Sequence, residues 1–261
     1  MTNDIQQSSA LSAKEQQRYA RQIMLDDVGM NGQLRLKQAH VLVIGCGGLG
    51  SAALPYLASS GIGHLTLMDD DVVELSNLQR QIMFKVNHLG QAKAKAGAKV
   101  LASLNNEIVI EAVTQRADSD NLAAFIKRAD IVLDCSDNFA TRYAINRLCH
   151  RLKKPLVSAA ATGFQGHVVS FDFSDAGSAC YECIFPERDD NPVANCSTLG
   201  VIAPLLGVMG SQQALITIQA LLGTGEFSVL HSYNAKSLQQ KRFTVVKNPS
   251  CACCGQQKAE Q

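Results

Sequence analysis

The chain has 261 residues, 46% of them hydrophobic and 18% charged, with a formal net charge of +1. That length predicts one large domain, alone or with a small appendage, and a sizeable core; the near-neutral balance argues against a nucleic-acid or membrane-surface partner. Nine cysteines behind a polar start without a targeting run predict a reducing, cytoplasmic setting, where paired thiols hold metal rather than form disulfides.

Ser12-Ala13-Lys14-Glu15 has the form of a capping box, which predicts a helix that carries Arg18, Tyr19 and Arg21 and ends near residues 26–29. Two arginines on so short a helix read first as a solvated face. The aliphatic run 41–44 predicts a buried parallel strand, and Gly45, Gly47 and Gly50 behind it fit G-x-G-x-x-G at the start of a small-residue helix. Glycine lets a phosphate approach the backbone, and the helix start offers free N–H groups and a positive dipole end. Asp69 follows about twenty residues on, at the end of the next strand (65–68), in position for a ribose hydroxyl.

Three acids in a row, Asp69 to Asp71, require a cation nearby, such as a metal ion or a following arginine. If residues 76–81 form one helical turn, Asn77, Arg80 and Gln81 share a face suited to a phosphate and a ribose; the alternative is a polar cap over the sheet edge. Residues 90–104 predict a helix with Gly97, Val100, Leu101 and Leu104 inward and Lys93 in phase with them. A lysine on that face must snorkel or meet an anion, so Lys93 is a phosphate candidate, while Lys95 and Lys99 are solvated.

Strands are predicted at 108–110 and 131–133, with a helix at 121–127 between them. Asp134 and Asp137 then lie off the carboxyl end of the second strand, placed for metal or substrate. One of them, with Asp137 nearer, is a possible cap for a helix at 138–152. Segments 155–161 and 166–173 read as a last parallel strand and an antiparallel one, and 229–233 with 243–246 as a closing hairpin. The most apolar segment, 199–223, is interrupted by Pro204 and by Ser211-Gln212-Gln213, so it predicts a buried helix from 205 onward rather than a membrane span. The fold class predicted is a Rossmann-like, doubly wound, mostly parallel α/β sheet with antiparallel C-terminal strands.

Cys180-x-x-Cys183 and Cys251-x-x-Cys254 suit one closed, structural Zn²⁺ site that staples the C-terminal tail to the body, with a redox pair as the alternative and Cys253 as the spare thiol. Residues 186–204 read as a polar loop carrying Cys196, a nucleophile candidate by access or else a bystander thiol. Cys46, Cys135 and Cys149 fall in elements predicted to be buried and inert.

Arg21-Gln22-Ile23, the 45–50 glycine turn, residues 76–81, Asp134-Cys135-Ser136-Asp137-Asn138 and the two C-x-x-C knuckles occur together and in this order. That set resembles the ThiF/MoeB family of adenylyltransferases over residues 12–255, between a flexible start (1–11) and a short tail (256–261). The resemblance implies a nucleotide-binding core at 40–160 and a carrier-binding and zinc part at 161–255. It implies adenylation, with Mg-ATP, of the C-terminal Gly-Gly carboxylate of a ubiquitin-like sulfur carrier protein. By position, Gly48, Asp69, Asn77, Arg80, Gln81 and Lys93 would line the ATP site and Asp137 would hold Mg²⁺. Arg21 would reach the ATP of the neighbouring subunit in a homodimer. A thiamine branch (ThiF type, carrier ThiS), with Cys196 as a covalent acceptor, is favoured by the Asp69–Asp71 run and by Asn195-Cys196, although Ser197 stands where that branch often has a basic residue. The alternative is the molybdopterin branch (MoeB type, carrier MoaD). No sulfurtransferase domain follows, which implies a separate sulfur donor. Rival readings on the same fingerprint are an NAD-dependent oxidoreductase and a non-catalytic nucleotide scaffold.

Overall fold

The computed structural model describes residues 10–117, 119–187 and 200–255. Its centre is an eight-stranded sheet. Five parallel strands, β1 (His40–Ile44), β2 (His64–Met68), β3 (Val109–Val113), β4 (Ile131–Asp134) and β5 (Leu156–Thr162), lie in the order β3-β2-β1-β4-β5. Three antiparallel strands continue it: β6 (Gln165–Phe171), β7 (Val229–Asn234) and β8 (Gln239–Thr244). The strand order reverses between β1 and β4, which opens a crevice beyond their carboxyl ends, where open α/β sheets bind ligands.

Strand periodicity divides the core in two. Val41, Val43, Leu65, Leu67 and Leu133 face helices α4 (Gly48–Ser59) and α9 (Ala203–Leu222), whose Leu54, Leu57, Leu205 and Met209 cover them. Leu42, Ile44, Met68 and Val132 point the other way, onto Leu122 and Ile126 of α6 (Ser119–Arg128) and Ile145 and Leu148 of α7 (Phe139–Leu152). Buried on both faces, these strands need no polar alternation, which is why 41–44 reads as a continuous apolar run.

Among the described residues α9 alone is long and apolar enough to cross a membrane. It lies along α4 and across β5, so close that a Cβ at Gly210 would stand 2.4 Å from the Leu49 carbonyl oxygen. It is the buried helix expected from the sequence.

Several boundaries differ from expectation. The capping box at Ser12 and Glu15 is present, but it opens only α1 (Ala13–Arg18); Tyr19 then turns inward and a separate short helix, α2 (Ala20–Ile23), carries Arg21. A third helix, α3 (Gly29–Gln38), occupies a stretch with no predicted element and buries Leu36. Helix α5 (Lys93–Leu104) begins at Lys93, and its last residue, Leu104, is 43% exposed rather than inward. β8 lies at Gln239–Thr244, upstream of the predicted 243–246, because an exposed edge strand carries no apolar signal.

Candidate active site

The cleft beyond β1 and β4 has a volume of about 210 Å³ and is lined by the glycine turn, by Asp69, Arg80, Gln81 and Lys93 on one side, and by Ser136, Asp137, His167 and Tyr181 on the other. The turn is built by close backbone approach. Gly45 has φ +96°, and a Cβ there would lie 2.7 Å from the Cys135 carbonyl oxygen. At Gly50 a Cβ would lie 2.1 Å from the Gly45 carbonyl oxygen, so β1 and α4 meet at a distance that only glycine permits. Gly48 opens α4 and lines the cleft.

Asp69 accepts hydrogen bonds from the Cys46 N–H (2.6 Å) and the Asp71 N–H (2.9 Å), and burial pushes its carboxyl above the ordinary carboxylate range. The acid run is offset from within the fold: Lys93 Nζ lies 2.8 Å from Asp71 Oδ2, with the lysine side chain 6% exposed and the aspartate 70%. A buried ammonium reaching the cleft through one solvent-facing partner can exchange that partner for a phosphate.

Residues 75–81 open with a 3₁₀ turn (Leu75–Asn77) and continue into a single turn of helical type, in which the Arg80 and Gln81 N–H groups both donate to the Asn77 carbonyl. The Asn77 side chain turns back on the Glu74 N–H (3.3 Å) and does not line the cleft, whereas Arg80 and Gln81 do.

The two acids after β4 separate clearly. Asp134 is buried and consumed by structure: it accepts from Ser136 N–H and Oγ–H and from Ser158 Oγ–H, and Arg142 stands 3.5 Å away. Arg142 in turn donates to the Ser136 carbonyl and Ser158 Oγ. Asp134 therefore holds the loop rather than a metal ion or substrate. Asp137 is exposed at the cleft wall, and the cap of α7 is Asn138, which accepts from the Thr141 N–H, so Asp137 is left for a ligand.

Arg21 is exposed on α2, outside the cleft of its own chain. Cys196 lies outside the described residues. Cys46, Cys135 and Cys149 are buried, and burial raises all three thiols, as expected for inert cysteines.

The four knuckle cysteines converge at the short helix α8 (Tyr181–Ile184), whose N-cap residue is Cys180. Sγ–Sγ separations are 4.0 Å (Cys180–Cys183), 3.6 Å (Cys180–Cys251) and 3.3 Å (Cys183–Cys254). A tetrahedral Zn–S shell places sulfurs about 3.8 Å apart, so the set can hold a metal ion. Cys253 stands beside it and accepts from Asn146 Nδ2 (3.4 Å).

Two participants were not singled out in the sequence. Arg142 lies in phase with Ile145, Asn146 and Cys149 on the inward face of α7, and His167 shares a strand face with buried Val169 and Phe171. A polar residue at an inward position was the available signal. Two buried polar atoms in the cleft have no partner among the described residues: Gln81 Oε1 and His167 Nε2. Unpaired buried polar atoms on opposite walls suit a polar ligand spanning the space.

The profile of the ThiF family matches residues 19–254. The chain is 42% identical over 247 residues to the sulfur carrier protein ThiS adenylyltransferase of Escherichia coli, covering 93% of this chain and 96% of that protein. It is likewise 42% identical over 248 residues to the molybdopterin-synthase adenylyltransferase of E. coli, covering 94% and 99%. Among solved structures, E. coli MccB with ATP superposes with a TM-score of 0.79 at 25% identity, over 92% of this chain and 75% of that one.

Proposed function

The chain belongs to the ThiF family, and on that premise we propose that it is an ATP-dependent adenylyltransferase that activates the C-terminal Gly-Gly carboxylate of a ubiquitin-like sulfur carrier protein. One observation carries the reading: Arg80 and Lys93 line the same cleft as Asp137, which has no hydrogen-bond or ion-pair partner among the described residues, over a glycine turn at the switch point of the sheet. Nucleotide binding alone does not require that much charge aimed at phosphates. The family relationship also removes the rival oxidoreductase.

In this reading Asp69 takes the ribose, Gly48 N–H and the start of α4 face the phosphates, and Gln81 supplies its free amide oxygen to the nucleotide. Lys93 and Arg80 offset charge as it moves onto the leaving pyrophosphate, a transition-state role for preorganised cations. Asp137 would hold Mg²⁺, which supplies further phosphate neutralisation when bound. The carrier carboxylate attacks the α-phosphorus; the new bond is acyl C–O–P, and pyrophosphate departs with the electrons of the broken P–O bond. Zn²⁺ in the Cys180, Cys183, Cys251 and Cys254 set would tie the chain end to α7 and β6 as structure.

Arg21 is assigned to the neighbouring active site of a homodimer, supported by its place outside the lining of its own cleft and by Met24 and Leu25 beside it, 72% and 57% exposed. Residues 12–255 are taken as one adenylation domain, working in the cytoplasm with a separate sulfur donor. The thiamine carrier is placed first; equal identity to the molybdopterin enzyme keeps the MoaD-type carrier as the alternative. Incubation with Mg-ATP and a ThiS-type or MoaD-type carrier, followed by intact mass measurement, decides between them. The carrier that gains the mass of AMP is the substrate, and gain by neither overturns the proposal.

A further inference from the structure

The cleft has two unlike walls. The β1–β2 side carries the glycine turn, Asp69, Arg80, Gln81 and Lys93, the groups suited to a nucleotide. The β5–β6 side is less charged: Ala160, Ala161, Thr162, Tyr181 and Phe185 surround one imidazole, His167, with the Arg142 guanidinium also in the lining. Strand register places that ring across from Ala160 on β5, and it stacks on Phe185 with centroids 4.9 Å apart and planes 25° apart. Its Nε2 is buried and has no hydrogen-bond partner among the described residues.

Leaving such an atom unsatisfied costs on the order of 1–3 kcal/mol, a cost that a bound ligand can recover. Burial, helped by the nearby Arg142 cation, pushes the imidazole down to about 4, so it is neutral at physiological pH. A neutral ring suits this wall. A second fixed cation here would add charge beside Arg142, whereas an N–H donor can order an anionic end without that cost.

We propose that His167 is a substrate-contacting residue that receives the acyl end of the peptide tail entering along β5 and β6. This rests on the adenylyltransferase reading. With Nε2 protonated, the imidazole donates a hydrogen bond to the carboxylate oxygen that does not attack phosphorus. The bond persists to the acyl oxygen of the mixed anhydride, and no proton is transferred. Stacking on Phe185 fixes the plane of the ring, so the contact selects a tail that ends in a free carboxylate without a bulky side chain against Ala160 and Tyr181.

The test is carrier-dependent pyrophosphate–ATP exchange by the full-length protein, with ThiS-type and MoaD-type carriers ending in Gly-Gly. His167→Leu is expected to raise KM for the active carrier roughly tenfold, the loss of one buried hydrogen bond, with ATP affinity within twofold of the unaltered protein. His167→Gln, which keeps an N–H donor, is expected to restore most of the difference. An unchanged carrier KM in His167→Leu, or equal loss of carrier and ATP affinity in both variants, overturns the inference and leaves the adenylation reading standing. Absence of exchange in the unaltered protein overturns both.

Discussion

Replacing Lys93 by alanine separates a catalytic cation from a structural one. Its ion-pair partner, Asp71, is 70% exposed, so breaking the pair leaves a carboxylate that water solvates, and the stability at stake is that of a surface pair, at most about 1 kcal/mol. Loss of the buried aliphatic stem, three methylenes at about 0.8 kcal/mol each, adds roughly 2 kcal/mol. Together these lower Tm by about 6–12 °C in a chain of this size. Against phosphate the same charge counts for more: at about 5 Å and an effective dielectric constant near 20, the Coulomb energy is on the order of 3 kcal/mol. Where that interaction strengthens as charge moves onto pyrophosphate, its removal slows adenylation by about 10²-fold. Initial rates of carrier-dependent pyrophosphate release, beside a thermal melt, read both quantities. Lys93→Ala with a rate within threefold of the unaltered protein refutes the phosphate assignment. Asp71→Asn, which frees the ammonium without removing it, is expected to keep the rate within that range.

The two acids of the β4 loop predict opposite outcomes: Asp134→Ala removes the buried carboxylate that holds Ser136 and Ser158 and stands 3.5 Å from Arg142, and is expected to lower unfolding free energy by about 3–5 kcal/mol in urea titration, whereas Asp137→Ala leaves stability within about 0.5 kcal/mol and abolishes adenylation. Chelation of the loaded protein is expected to release one metal ion per chain, measured by elemental analysis, and to expose the segment around Lys247 to trypsin; Cys254→Ser is expected to give the same digestion pattern without chelator. For pH, burial lowers His40, His64, His167 and His231, with His167 at about 4. The unfolded chain therefore binds more protons below pH 6.5, and stability present above that value is lost as pH falls toward 4. His167 contributes about 3 kcal/mol of this. His167→Gln is expected to flatten the slope between those limits in pH-dependent urea melts.

How much could be read from residues alone depended on how local the cause was. The glycine turn, the Asp69 strand and the cysteine knuckles carry their reasons within a few residues: a missing Cβ, a strand end, a thiol spacing. Helix α3 does not. Its Gly29, Asn31 and Gly32 disfavour a helix, and tertiary packing overrides them: Leu36 is fully buried, and a Cβ at Gly32 would stand 2.9 Å from Leu222 of α9. The division of labour between Asp134 and Asp137 was equally invisible, because Arg142 and Ser158, which claim Asp134, arrive from α7 and β5. His167 is a single polar residue within segment 166–173, and its surroundings come from distant parts of the chain, β5 and Phe185. Edge strand β8 was displaced because all six of its residues are exposed, leaving only the apolar end of the segment as a signal.

Isotope exchange between labelled pyrophosphate and ATP, run with and without a carrier ending in Gly-Gly, bears most directly on the central claim. Label is expected to enter ATP only when the carrier's terminal carboxylate is free, and not at all in Asp137→Ala. Exchange that proceeds equally without carrier, or never occurs with either carrier type, contradicts the account.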